Sequence, residues 1–261
     1  MSVTLLFVSG LALAAVLMAA VFVLALRLRN FSIVDIAWSA VFTPLVLLYA
    51  TLTQGYGARR ALIATMVTLW SLRLAGHLYA RIAALHPEEE GRYVRLREEW
   101  ARNLHPRFFL FFQAQAVLAA LLSVPFLLAC ADPRAPLGPF EIVGAALFVV
   151  ALAGEATADR QLAAFKADPR SRGRTCRAGL WRYSRHPNYF FEWLVWVAYF
   201  VFALPSPWGW VTVYCPLLML FFLFRVTGIP MTEEQAVRSR GDDYREYQRT
   251  TSAFFPWFAK A

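Results

Sequence analysis

Seven stretches of this chain, at about 3–26, 33–53, 61–80, 108–130, 140–158, 190–204 and 209–228, are almost uninterrupted apolar sequence. A helix needs roughly 20 such residues to cross the hydrocarbon core of a bilayer. Only helices and closed barrels satisfy their own backbone there, and the alternating pattern of barrel strands is absent. The chain is therefore expected to be all-α and polytopic, with about seven transmembrane helices. Its 59% hydrophobic content exceeds the roughly 45–50% of soluble domains. The first stretch contains small residues, "SGLALAA", as a secretory signal does. Its basic residues, Arg27 and Arg29, follow rather than precede it, so it reads as a span.

Basic residues set the expected orientation. With the N-terminus outside, twenty-one lysines and arginines fall in inner segments and only Arg59, Arg60 and Arg134 in outer ones. That asymmetry places the C-terminus in the cytoplasm and requires an odd number of spans. The net charge of +9 is thus mostly a topology signal. Anionic headgroups of membrane lipids answer part of it, and a polyanionic cofactor could answer more. Nucleic-acid binding is not expected, because no aromatic–basic platform stands in a soluble domain; no obligate protein partner is predicted either. Cys130, Cys176 and Cys215 lack metal-ligand spacing, so no metal site is expected. They read as free thiols, with a Cys130–Cys215 disulfide as the alternative.

The chain reads as one transmembrane domain over 1–261, with its tail, 230–261, folding back on the cytoplasmic face. The tail string "DDYREYQRTTSAFFPWF" reads as a short amphipathic helix ending in an interfacial aromatic cluster. The inner loop 87–107 mixes acids and bases at helical spacing. It is either a solvated helix or a cofactor-site wall contributed by Tyr93, Arg95 or Arg102.

Ionisable residues inside spans cost roughly 2.5–3.5 kcal/mol on insertion scales, which makes each a functional candidate. Asp35 stands near the start of the second span with Trp38 one turn on; its alternative role is to cap that helix. Arg73 and His77 lie four apart in the third span, Glu155 and Asp159 at the end of the fifth, and Asn188 and Glu192 where the sixth begins. Residues four apart share a helix face. Carboxylates, an amide and cations on one side suit a dinucleotide phosphate: arginine neutralises phosphates and carboxylates accept from ribose hydroxyls. No G-x-G-x-x-G follows a strand, so a Rossmann domain is not the means.

The strings "GLWRYSRHPNYFFEW" and "GIPMTEEQAVRSRGDDYREYQRTTSAFFP" resemble the bacterial branch of the steroid 5-alpha-reductase family, related to the sterol C14 and C7 reductases. The resemblance runs from about Asp35 to the C-terminus and is most specific between Glu155 and Trp193. It implies a seven-helix enzyme of steroid and lipid metabolism in the bacterial inner membrane. NADPH would reduce the C=C bond of a conjugated enone, most simply the Δ4 bond of a 3-oxo-Δ4-steroid or a related lipid.

Position by position, the resemblance implies that Asn188 and Glu192 hold the nicotinamide end with Asp159, and that Lys166 and Arg174 meet phosphates. Arg73, His77, Glu155, Arg185, His186, Tyr189 and Glu233 are further implied cofactor contacts. Asp35 falls at the position of a glutamate that hydrogen-bonds the keto oxygen, and Trp70 at that of its tyrosine partner. Trp38 and Trp70 are thereby implied substrate contacts, and Phe191 replaces a glycine. In the implied mechanism a protonated Asp35, held neutral by apolar surroundings, stabilises the developing enolate.

The rival reading is a membrane S-adenosylmethionine-dependent methyltransferase of the isoprenylcysteine or phospholipid type, which carries a similar R-H-P-x-Y string. The basic run Lys166, Arg170, Arg172, Arg174 and Arg177 favours a phosphate-bearing cofactor instead. A transporter would show broken helices and paired repeats, and neither is evident.

Overall fold

The computed structural model describes residues 1–85, 88–226 and 228–258. Pro87, the first residue of the 87–107 loop, and the end of the tail, 259–261, lie outside these. Among the described residues the structure is helical and contains no strand. Six stretches among the described residues are long and apolar enough to cross a membrane: Val3–Leu28, Ile33–Leu52, Gly57–Leu85, Ala101–Ala131, Pro139–Ala167 and Gly209–Arg240. The protein is all-α and polytopic, as its hydropathy predicts. The remaining expected span, 190–204, corresponds to the helix Pro187–Ala203, 17 residues long, the lower limit for a crossing helix.

The chain, read from sequence as one domain, divides into two compact units. The first is Met1–Leu137 with Ser206–Gly209. It contains α1 (Val3–Leu28), α2 (Ile33–Ala40), α3 (Phe42–Leu52), α4 (Gly57–Leu85), α5 (Gly91–Glu99), α6 (Leu104–Leu122) and α7 (Val124–Ala131). Ser2 caps α1 by accepting from the Leu5 N–H, which supplies a partner for an orphan donor of the first turn. The expected fourth span is broken at Ser123 into α6 and α7, with Pro125 in the first turn of α7. Ser123 Oγ lies 3.0 Å from the Tyr49 hydroxyl, and both residues are fully buried. The break thus brings its own polar partner, as an apolar interior requires. At the C-terminal end of α3, next to Tyr49, Arg60 Nη1 donates to the Ala50 and Thr53 carbonyls at 2.8 and 2.9 Å. A charge that signals orientation in sequence therefore also closes a helix end.

The second unit is Gly138–Pro205 with Trp210–Ala261. Its helices are α8 (Pro139–Ala167), α9 (Pro187–Ala203), α10 (Tyr214–Phe221), α11 (Ile229–Arg240) and α12 (Asp242–Thr250), with a π-helical turn at Phe222–Val226. Proline opens both α8 and α9 at their first positions, where its missing N–H costs nothing. Gly144 faces the backbone of Phe202, and Gly154 faces the Phe191 ring. The two helices are therefore antiparallel, and small residues set their spacing, the device expected where lipid removes the hydrophobic drive between helices. All three cysteines are buried free thiols.

Phe191 keeps its ring because Gly154 leaves room for it. A Cβ at Gly154 would strike that ring. Gly154→Ala is expected to destabilise the protein by about 1–3 kcal/mol, measured by denaturant unfolding in detergent. In a Phe191→Ala background the same change should cost nothing or stabilise.

Candidate functional site

In the first unit, Asp35 lies in the first turn of α2, yet its carboxylate does not cap the helix. Arg92 Nη2 donates to its two oxygens at 2.7 and 3.0 Å, and the Tyr93 hydroxyl donates to Oδ1 at 2.7 Å. Arg92 also donates to the phenol oxygen and stands 4.7 Å from that ring. The expected apolar surroundings of Asp35 are thus corrected: a guanidinium and a phenol face its carboxylate. Tyr93 is fully buried. Burial first, and the Asp35 charge second, raise it well above the usual phenol range, so it is protonated at neutral pH.

The segment carrying these two residues is tied down on either side. The Glu89 carboxylate accepts from the Phe31 N–H and, at 2.9 Å, from Arg97. Arg81 pairs with Glu90 at 2.7 Å. Part of the 87–107 loop is therefore a helix, as expected, but one whose Arg92 and Tyr93 face α2. Trp38 Nε1 is buried with no hydrogen-bond partner among the described residues, and its ring meets Phe42 edge-on at 5.3 Å. Trp70 is fully buried, 5.2 Å from Phe42. On α4, Arg73 is half-buried and His77 exposed; both belong to this first unit.

In the second unit, α8 and α9 bring together four of the predicted residues. Asn188 Nδ2 donates to Asp159 Oδ1 at 3.4 Å, and Asn188 Oδ1 is buried without a hydrogen-bond partner among the described residues. Glu155 and Glu192 are buried. Glu192 accepts from Trp196 Nε1 at 3.1 Å, and Tyr199 on the same helix is fully buried. Sequence reading missed Trp196 and Tyr199. Their signal was the spacing 188, 192, 196, 199, one stripe along α9.

The other residues of the R-H-P-N-Y string face elsewhere. Arg185 Nε donates to Glu233 Oε1 at 2.6 Å, and its Nη1 to the Gln248 and Thr251 carbonyls at 2.8 and 2.7 Å. His186 Nε2 lies 3.2 Å from the same Glu233 oxygen, and Gln248 donates to Glu233 Oε2 at 2.8 Å. His186 stacks on Tyr189, whose hydroxyl lies 3.2 Å from Thr232 Oγ1. Arg185, His186, Tyr189 and Glu233, expected as cofactor contacts, thus form a latch from the start of α9 to α11 and α12.

Beyond the polar cluster, the C-terminal end of α8 lines a cavity of about 190 Å³ with Leu162, Phe165, Lys166, Arg172, Arg174 and Arg240 among its walls. No aspartate or glutamate lines it. A second, more open cavity of about 420 Å³ shares Phe165 and Arg174 and adds Arg177 and Asp243. The basic run thereby divides. Lys166, Arg172 and Arg174 line the first cavity, while Arg170 pairs with Asp168 and Arg177 with Asp243 and Glu246. Arg240 comes from the tail and was not anticipated.

Asp243 ties the tail to this wall, accepting from the Thr175 N–H at 2.7 Å. Partial burial opposes its ionisation, but the Thr175 hydrogen bond and the Arg177 charge outweigh that and hold it below the usual carboxylate range. A lowered folded-state pKa contributes stability above the unfolded value, about 3.9, and loses it as pH falls through the folded value. Asp243→Asn is therefore expected to be less stable than the native protein at neutral pH. The gap should close as pH falls below about 4, which thermal unfolding across pH measures.

Residues 21–251 match the family described as proteins of unknown function, DUF1295. Over 277 aligned residues the chain is 30% identical to the uncharacterized protein C594.04c of Schizosaccharomyces pombe, covering 96% of this chain and 79% of that protein. No solved structure gives a significant match. With most of its length inside the matched region, the chain belongs to the DUF1295 family.

Proposed function

We propose that this protein is an NADPH-dependent reductase of the C=C bond of a conjugated enone, with a 3-oxo-Δ4-steroid or related lipid as substrate. One observation carries the reading: along α8 a buried carboxylate–amide cluster is followed by a cavity walled by cations. Asp159 and Lys166 are about 10 Å apart along the axis at about 1.5 Å per residue. Lys166, Arg172, Arg174 and Arg240 suit phosphates, which arginine binds with two parallel hydrogen bonds. The buried, unpartnered Asn188 Oδ1 suits an amide N–H donor such as a carboxamide, and Asp159 suits a hydroxyl. S-adenosylmethionine has no phosphate and carries a positive charge, so the cavity disfavours it. Arg185, His186, Tyr189 and Glu233 serve by positioning Asn188 through the latch. In this reading the protein lies in a bacterial inner membrane with its basic segments, and both cofactor-binding groups, on the cytoplasmic side.

When bound, NADPH supplies a hydride to the β-carbon of the enone. Negative charge then develops on the keto oxygen, and a donor aimed there stabilises it. Within the first unit, Tyr93 has the chemistry of such a donor in preference to Trp70 or Asp35, because it is a protonated phenol whose oxygen already accepts from Arg92. The substrate oxygen takes the place of Asp35 as acceptor of the phenol hydrogen. Asp35 keeps Arg92 and Tyr93 in position, and the α-carbon takes its proton from water. Trp38 Nε1, a buried donor without a hydrogen-bond partner among the described residues, is a second group available to an oxygen of the substrate.

The test is NADPH oxidation by the purified protein with Δ4-3-ketosteroids. Tyr93→Phe is expected to lower kcat about 10²–10³-fold with NADPH affinity unchanged, while Trp70→Phe keeps most of the activity. Equal turnover in Tyr93→Phe and the native protein would remove the phenol from the mechanism.

A further inference from the structure

The tail beyond α12 ends in an aromatic group that neither proposed binding region uses. Phe254 is buried among Leu223, Ile229, Phe190 and Trp193, and its ring lies 5.1 Å from that of Phe224. Phe255 stands 5.9 Å from both Phe190 and Trp193, yet is 56% exposed. Trp257 and Phe258 are 71% and 75% exposed, and Phe258 meets the exposed Tyr183 ring at 5.9 Å. These rings sit over the first turn of α9 and the π-helical end of the last apolar stretch, so they are level with the ends of membrane-crossing sequence.

The backbone here narrows what covers them. Residues 251–258 form no helix, and irregular backbone is not tolerated against hydrocarbon, where its polar groups would stay unsatisfied. In open water, three adjacent large rings would be an apolar patch without a function. The headgroup boundary suits both, because it hydrates the backbone and accepts aromatic rings. Charge agrees: Arg182, next in the chain to Tyr183, and Arg249 are exposed, and no acid occurs between Gln248 and Phe258.

We propose that Phe255, Trp257 and Phe258 dock into the headgroup–acyl boundary of an anionic bilayer. The same segment is bonded to the loop before α9. Trp257 N–H donates to the Tyr183 carbonyl at 2.9 Å, Arg185 N–H to the Ser252 carbonyl at 2.8 Å, and Ser184 Oγ to the Phe254 carbonyl at 2.8 Å. The aromatic anchor therefore also sets the depth at which α9 begins, and with it the depth of Asn188. The anchor does not depend on which cofactor the protein uses.

The experiment uses the full chain in phosphatidylcholine–phosphatidylglycerol vesicles, with a nitroxide on Phe258→Cys and, separately, on Arg170→Cys as the aqueous reference. The native thiols are buried and label poorly. The label at 258 should collide more with oxygen than with a water-soluble nickel chelate, and the label at 170 the reverse. As a second readout, Trp257→Ser/Phe258→Ser should make the Arg185 amide exchange several-fold faster in these vesicles. A label at 258 as open to the nickel chelate as that at 170 would overturn the proposal. So would a label shielded from both probes, which means a second protein chain covers the patch, or unchanged Arg185 exchange in the double variant.

Discussion

The close antiparallel approach of α8 and α9 governs where chemistry can occur in the second unit. Inside lipid, helices gain little from apolar contact with each other, so small residues and polar side chains draw them together. Gly144 lets α8 approach the Phe202 backbone and Gly154 admits the Phe191 ring. Beside the Gly154–Phe191 contact the interface carries Glu155 and Glu192, with Trp196 donating to Glu192. Burying carboxylates costs free energy unless they find donors. An interface built this way is a place where a ligand with hydroxyl and amide groups gains from partners already fixed.

A second principle is the division of labour among cations. Arginine is used as a structural clamp wherever a carbonyl or carboxylate faces it, as Arg185 does with Glu233, Gln248 and Thr251. Arg92 acts likewise with Asp35. The cations walling the α8 cavity come without a carboxylate among its lining residues. Lys166, Arg172, Arg174 and Arg240 line one cavity only in the folded chain, and sequence proximity alone does not group them.

Much of this was legible in the sequence, for identifiable reasons. Spans follow from apolar run length, because the bilayer imposes a fixed thickness. Helical spacing put Glu155 with Asp159 and Asn188 with Glu192 on shared faces, while the pairing of Asp159 with Asn188 was implied by the resemblance alone. Lys166 and Arg174 fall together because only the turn around Pro169–Ser171 separates them in the chain. Other parts were not legible. The Asp35–Arg92–Tyr93 group joins residues nearly sixty positions apart, and no local period links them. Arg185 and His186 were read as ligand contacts because a charged residue beside a span suggests function. Their partners lie on α11 and α12, and only the folded tail reveals them. Arg240 was invisible for the same reason.

The central claim is that the α8–α9 region holds a phosphate-bearing nicotinamide cofactor. It is tested most directly by thermal stability of the detergent-solubilised protein titrated with NADPH and, in parallel, with S-adenosylmethionine. The Asn188→Ala/Glu192→Ala variant is measured alongside. At about 100 times its dissociation constant a bound ligand adds about 2.7 kcal/mol. The account predicts stabilisation by NADPH that the variant loses, and none by S-adenosylmethionine. Stabilisation by S-adenosylmethionine alone would contradict it and make the protein a methyltransferase.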